Sequence, residues 1–123
     1  MDTVSLKVPA SPEYLQVVRL IAAGLAARLA FTLEDIEDLK IAVDEMCAYL
    51  TGTHGRQGSL EVRYEIHGDR LQIRGIGHFA RGHKVRTELT EFSRMILTTV
   101  VDSASLDLAD GVPTFSLAKS KPR

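Results

Sequence analysis

The stretch IEDLKIAVDEMC, at residues 36–47, decides the fold more than any other part of the chain. Apolar side chains recur in it every third or fourth residue, and the same spacing covers residues 33–50, which is typical of an amphipathic α-helix. Thr32 is suited to cap the start of this helix, with Asp35 at the third position after it. Gly52 is suited to end it, because glycine readily adopts the backbone conformation of a helix C-cap. We therefore predict a long second helix between these two caps.

Before this helix the pattern predicts a short strand and a first helix. Apolar and polar side chains alternate over residues 4–8, and Pro9 is expected near the strand end because proline cannot donate to a ladder. Serine, proline and glutamate at residues 11–13 resemble a helix start, with Ser11 as the cap. Helical spacing of apolar residues then continues to about Leu29.

After the second helix the pattern predicts a hairpin, a third helix and a second hairpin. The predicted elements are strands at 60–66 and 71–75 around a tight turn at 67–70, a helix at 88–102, and strands at 105–109 and 114–118 around Asp110-Gly111. Hairpins segregated from helices favour an α+β fold, a two-layer sandwich with three helices on one face of an antiparallel-rich sheet of about five strands. We expect a single domain over residues 1–123 with a frayed tail at 119–123.

The composition is that of an ordinary globular domain. The chain has 123 residues, of which 45% are hydrophobic and 25% are charged, with a formal net charge of -1. This charge creates no global field for nucleic acid, and the basic stretch at residues 70–86 has only Phe79 to stack on bases, so we expect no direct nucleic-acid binding. No apolar run is long enough to span a bilayer. A single cysteine, Cys47, excludes an intrachain disulfide, and we expect a cytoplasmic protein that does not engage membranes.

The second-helix stretch resembles that of bacterial anti-sigma factors that double as serine kinases. Their histidine-kinase-like ATPase (Bergerat) fold also occurs in gyrase and in histidine kinases. The resemblance extends to the opening segment VPASPEYLQVVRLIAAGLAARL and to the closing helix followed by GVPTFSLAKS. It implies the same two-layer fold and a nucleotide site with three parts.

The first part of the family's ATP site is a Glu followed four residues later by an Asn that binds magnesium. Glu45 matches the Glu as a relic of the catalytic acid, but Tyr49 stands at the Asn position, and a phenol is a poor magnesium ligand. The family's adenine-binding Asp falls at Gly77, or at Ile73 if Gly75 and Gly77 are taken as the glycine pair that follows it. None of these residues has a side chain that can accept the adenine hydrogen bond.

The third part is a glycine pair at the start of the last helix, where backbone amides hold phosphate. Glu91 and Ser93 stand at those positions, and the Glu88 and Glu91 carboxylates would repel a phosphate. We therefore expect ATP with magnesium to bind weakly or not at all, so that the chain has no cofactor, although ATP remains possible if the site is still functional.

The resemblance implies an anti-sigma factor that sequesters an alternative RNA polymerase sigma factor and is released by an anti-anti-sigma (STAS-type) protein, as a homodimer. Tyr14 and Arg19, on the first helix, are the expected partner-binding residues. The alternative is an active serine kinase that phosphorylates the anti-anti-sigma protein with Glu45 as the base. A third possibility is a scaffold in another partner-switching pathway.

Several residues also have simpler interpretations. Glu45 can be a plain helix carboxylate, Arg19 a salt-bridged surface residue and Cys47 a small buried hydrophobe. The four histidines (His54, His67, His78 and His83) have no acidic or cysteine cluster beside them, so we predict no metal site. Residues 78–86 show no periodicity and are expected to form a mobile loop.

Overall fold

The order of helices and strands is the one that the sequence predicts. The computed structural model describes residues 1–79 and 85–121. The elements are β1 (Asp2–Pro9), a 3-10 turn (Pro12–Tyr14), α1 (Leu15–Arg28), α2 (Leu33–Thr51), β2 (Gly58–His67), β3 (Arg70–Phe79), α3 (Glu91–Val100), β4 (Ser103–Ala109) and β5 (Val112–Ser120). The predicted α+β class, with three helices and five strands, is confirmed.

The five strands form one antiparallel sheet in the order β1-β2-β3-β5-β4. The last strand of the chain therefore lies inside the sheet, and β4 forms an edge. Inward-facing side chains such as Tyr64, Ile73 and Phe115 are fully buried against the helices. The Tyr64 hydroxyl donates to the Val18 carbonyl of α1 at 2.9 Å, which satisfies its polar group inside the core.

Local signals in the sequence correctly predict both caps of α2 and the turn between β4 and β5. The Thr32 hydroxyl accepts a hydrogen bond from the Asp35 amide at 3.2 Å and so caps α2. Gly52 ends α2 with a φ of 68°. Asp110 and Gly111 join β4 to β5 with φ angles of 53° and 78°, the left-handed conformation that tight hairpin turns use.

Two helix starts differ in detail from the prediction. The Ser11 side chain makes no capping hydrogen bond, and the segment after it forms a 3-10 turn before α1 begins at Leu15. The third helix begins at Glu91 and ends at Val100, a shorter span than the predicted 88–102. Its start is displaced because Thr90, with an extended backbone and a side chain that accepts from the Ser93 amide, provides the cap.

The predicted loop at residues 78–86 and the predicted frayed tail also need correction. His78 and Phe79 belong to β3, where they pair with Ser59 and Gly58. Residues 80–84 of the predicted loop lie outside the described residues. Residues 122–123 of the tail lie outside them as well. Lys119 is a buried residue of β5. Its ammonium group donates to the Val100 carbonyl at 2.7 Å, which satisfies the charged group inside the protein.

Candidate functional site

Helix α2 carries Glu45 and Tyr49 one turn apart, so both side chains lie on the same side of the helix. This side faces the start of α3, and both residues are half-buried there. The two predicted site residues of α2 are therefore brought together with the helix start at which the family resemblance expects phosphate.

A directed series of hydrogen bonds joins these elements. The Thr90 amide donates to the Tyr49 hydroxyl at 2.9 Å. The Tyr49 hydroxyl donates to Ser93 Oγ at 2.7 Å, and Ser93 Oγ donates to Glu45 Oε1 at 2.6 Å. Each hydroxyl in the series both accepts and donates, an arrangement in which hydrogen bonds strengthen one another. We call these four residues, Glu45, Tyr49, Thr90 and Ser93, the tyrosine network.

Part of the start of α3 is capped from within the chain. Thr90 Oγ1 accepts from the Ser93 amide at 3.1 Å, and the Thr90 carbonyl accepts from the Arg94 amide at 2.9 Å. Glu91 adds a carboxylate to the first turn, where it interacts favourably with the helix dipole. A phosphate at this helix start would have to displace these bonds and approach that carboxylate.

The hydrogen bonds also change the acidity of Tyr49. Partial desolvation raises its pKa, but its hydrogen bonds to Ser93 and Thr90 outweigh that effect, so the pKa lies below the ordinary value of 10.0. A bond donated to the phenol oxygen, such as that from the Thr90 amide, favours the charged form of the side chain.

On strand β3, the positions that face the helices offer no polar side chain. They are Leu71, Ile73, Gly75 and Gly77, all buried. Neighbouring aromatic rings fill the space beside both glycines: a Cβ on Gly75 would collide with the Phe115 ring, and one on Gly77 would collide with the Phe79 ring. An aspartate at either glycine position could not be accommodated unless these rings moved.

Arg56 and Phe79 lie at the same end of the sheet. The Arg56 guanidinium carbon is 5.8 Å from the centre of the Phe79 ring, within the range of a cation–π contact. Arg56 Nε also donates to the Leu50 carbonyl at 2.7 Å, near the end of α2. These contacts connect the loop after α2 to the end of β3.

The expected partner-binding residues lie apart from the tyrosine network in sequence, on the first helical segment. Tyr14 ends the 3-10 turn and is 38% exposed. Arg19 Nε donates to Asp44 Oδ1 of α2 at 2.9 Å, and Arg19 Nη1 donates to Gln16 Oε1 at 2.8 Å. Arg19 thus forms an ion pair with α2, and these two bonds orient its guanidinium.

Cys47 lies on the buried side of α2 and is fully shielded from solvent. Burial is the main cause that raises its pKa, with a further contribution from the Asp44 charge. A thiol in this state is a small hydrophobic group and not a nucleophile.

The histidines within the described residues do not converge on one another. His78 pairs with Glu61 at 3.0 Å and His67 with Glu65 at 3.4 Å. Over residues 1–79 and 85–121, no group of three His, Cys, Asp or Glu side chains could hold a metal ion. His83 lies outside that part of the chain. In the same described part, no helix is long and apolar enough to cross a membrane.

The sequence-based prediction omits two site residues. It does not include Thr90, and it includes Ser93 only as the position of a missing glycine. The sequence TEFS at residues 90–93 does contain a signal, since threonine is a favoured N-cap residue whose side chain accepts from the backbone amide three positions later. Its link to Tyr49, 41 residues earlier, has no local signal.

Comparison with known proteins identifies relatives. A family model described as a histidine kinase-like ATPase domain matches residues 8–110. The serine-protein kinase RsbW of Bacillus pumilus is 41% identical over 78 residues, covering 59% of this chain and 48% of the relative. The serine-protein kinase RsbW of Bacillus licheniformis is 31% identical over 141 residues, covering 96% of this chain and 85% of the relative. The chain thus spans about half the length of the first relative and most of the second.

A solved structure has a similar fold. It contains the RsbU and RsbW domains of a Mycobacterium tuberculosis protein and matches with a TM-score of 0.69 at 18% identity, covering 98% of this chain and 32% of that one. At this level of identity the likeness concerns the fold.

Proposed function

This chain belongs to the histidine kinase-like ATPase domain family, and from that premise we propose that it acts by binding proteins in a partner switch. In this proposal it sequesters an alternative RNA polymerase sigma factor, an anti-anti-sigma (STAS-type) protein releases it, and neither step requires ATP chemistry. A partner switch of this kind needs only competing affinities.

One observation carries the proposal that nucleotide is not needed: the tyrosine network occupies the start of α3. A family of ATPase type would use ATP and magnesium. Among the described residues, the groups facing this site do not fit such a ligand, because Tyr49 offers a phenol and the Glu45 carboxylate is engaged with Ser93 at 2.6 Å. Phosphate would also meet the carboxylate of Glu91.

Calorimetry tests this part of the proposal. ATP with magnesium is titrated into the protein at high micromolar concentration, and then purified sigma factors from the same genome are titrated with and without ATP. We expect no heat from ATP and the same sigma-factor affinity in both conditions. Clear heat from ATP, or an affinity that changes with ATP, contradicts nucleotide independence. If every sigma factor fails to bind, a scaffold in another pathway becomes the better explanation.

The proposed sigma-factor surface is the exposed side of the first helical segment. Arg19 is held there by Asp44, and its side chain remains 30% exposed. Val17 and Leu20 are 41% and 59% exposed, and Tyr14 lies just before them. Exposed apolar groups next to an oriented arginine and a tyrosine have the composition of a protein-binding hot spot.

Replacing Arg19 by alanine tests this surface. We expect Arg19→Ala to weaken sigma-factor binding about 30-fold, the effect of losing a hot-spot contact of ~2 kcal/mol. The matched control is Arg28→Ala, which removes an exposed arginine from the last turn of the same helix. Equal affinities for the wild type and both variants would place the partner elsewhere.

The alternative function is an ATP-dependent serine kinase. It is favoured by Glu45, the one expected catalytic side chain that is present, and by the relatives named serine-protein kinases. Transfer of labelled phosphate from ATP to an anti-anti-sigma protein, lost in Glu45→Ala, would establish this function in place of ours. Glu45→Gln is a useful companion variant, since it keeps an acceptor for Ser93 but removes the charge.

The proposal includes a homodimer in the cytoplasm. Strands β1 and β4 form the two sheet edges, and Val4 on β1 is 36% exposed. An edge strand with unpaired backbone groups can pair with a second copy. Light scattering at several concentrations measures the mass, and a single monomeric species throughout would contradict the dimer.

A further inference from the structure

Tyr49 stands where the family resemblance expects a magnesium ligand, yet its contacts are to the protein itself. Its hydroxyl accepts the Thr90 amide at 2.9 Å and donates to Ser93 at 2.7 Å. These contacts connect the last turns of α2 with the start of α3. Thr90 and Ser93 lie 41 and 44 residues after Tyr49 in the sequence. We propose that Tyr49 is a positioning residue that fixes the start of α3 against α2 in the absence of any ligand.

The geometry indicates a specific link between the two helices, which we call the tie, and not a chance surface contact. The distances in the series Thr90 amide, Tyr49, Ser93 and Glu45 are all 2.9 Å or less. Ser93 is only 4% exposed, so its hydroxyl requires partners inside the protein, and Tyr49, Thr90 and Glu45 supply them. Every described buried polar side-chain atom has a hydrogen-bond partner.

These hydrogen bonds differ in kind from the apolar packing of the core to which both helices contribute. Met46 and Leu97, for example, belong to the buried core. Apolar packing is not directional. The Tyr49 hydroxyl, by contrast, accepts from the Thr90 amide and has Ser93 Oγ at 2.7 Å and Thr90 Oγ1 at 3.3 Å as acceptors, so all its bonds are to the start of α3 and favour one orientation of it. Tyr49 therefore determines where the first turn of α3 lies.

This inference rests on the proposed function, because it explains how the domain keeps one conformation without nucleotide. Phe92 and Met95, on the first turns of α3, are 71% and 65% exposed, so the same tie also fixes the position of these two side chains on the surface. Calorimetry with ATP tests the proposed function, and the exchange experiment below contains no nucleotide, so the two can fail separately.

The experiment compares amide hydrogen exchange by NMR in the wild type and in Tyr49→Phe. Phenylalanine keeps the ring and its packing but removes the hydroxyl. We expect the Thr90 amide to exchange about fivefold faster in the variant, the factor for one lost net hydrogen bond. The Val62 amide, in the interior strand β2, reports global unfolding and should change much less. Tyr14→Phe is the matched control, since it removes a tyrosine hydroxyl from a different element.

Three results would overturn the inference. The Thr90 amide exchanges at the wild-type rate in Tyr49→Phe, or Val62 accelerates by the same factor as Thr90, or Tyr14→Phe has the same effect as Tyr49→Phe. A double-mutant cycle provides a second measurement that does not depend on amide assignments. The effects of Tyr49→Phe and Ser93→Ala on the unfolding equilibrium should be non-additive, and strict additivity would also contradict the tie.

Discussion

Lys119 offers a sharp test of how the core is held together. Its ammonium group donates to the Val100 carbonyl at the end of α3, at 2.7 Å, and lies 3.8 Å from Asp35 Oδ1 at the start of α2. The Lys119 and Asp35 side chains are only 10% and 14% exposed. One cation thus caps a helix C-terminus and faces a shielded carboxylate, so we predict that Lys119→Met destabilises the domain.

The magnitude follows from three contributions. A hydrogen bond to a charged donor contributes about 1.5–3 kcal/mol, and its loss leaves the Val100 carbonyl without that partner. Removing a buried ammonium also removes its desolvation penalty, which offsets part of the loss. Asp35 keeps its bond from the Thr32 hydroxyl at 2.7 Å, so its charge is not stranded. We expect a net loss of about 2 kcal/mol in the free energy of unfolding, or roughly 8 °C in Tm.

Urea denaturation followed by circular dichroism measures this loss. Lys40→Met is the control, because Lys40 makes an exposed pair with Glu37 within α2 and its loss should cost less than about 0.5 kcal/mol. A Lys119→Met midpoint within experimental error of the wild type, or of Lys40→Met, would refute the reasoning.

Three further predictions concern other parts of the molecule. Gly24→Ala should raise stability by about 0.5–1 kcal/mol in urea denaturation, because Gly24 is an exposed residue inside α1 with open space around its Cβ position; a loss of stability would contradict this. Cys47 should stay unmodified by a thiol reagent in the native state and react once the protein unfolds, so rapid native labelling would show that the core opens. Hydrogen bonds from His78 and then Arg63 lower the pKa of Glu61 below its ordinary 4.5, so its contribution to stability is present above that pH and is lost as the pH falls through the lowered pKa. An NMR titration should show the Glu61 pKa rising in His78→Ala, and an unchanged pKa would exclude this cause.

The candidate site was only partly predictable. The position of Tyr49 one turn after Glu45 follows from helix periodicity, and the family resemblance implies that an amide oxygen is missing at that position. The destination of the Tyr49 hydroxyl did not follow, because its partners Thr90 and Ser93 are brought near by the packing of α3 on α2. The sequence therefore indicated which group was missing but not which contact replaced it.

What the sequence by itself determined is local: the span of α2 between Thr32 and Gly52, the turn at Asp110-Gly111, and the order of helices and strands. These features depend on side-chain periodicity and on bonds between residues a few positions apart.

The tertiary structure alone decided the contacts that join distant segments. Strand β5 lies between β3 and β4, which puts Phe115 opposite Gly75 and turns Lys119 inward beneath α3. Such contacts depend on the order of strands in the sheet and on helix packing, and no short-range pattern encodes either. The physical reason is that the hydrophobic effect is not directional and stabilises any arrangement that buries the apolar faces. Which arrangement has the lowest free energy therefore depends on all core contacts together.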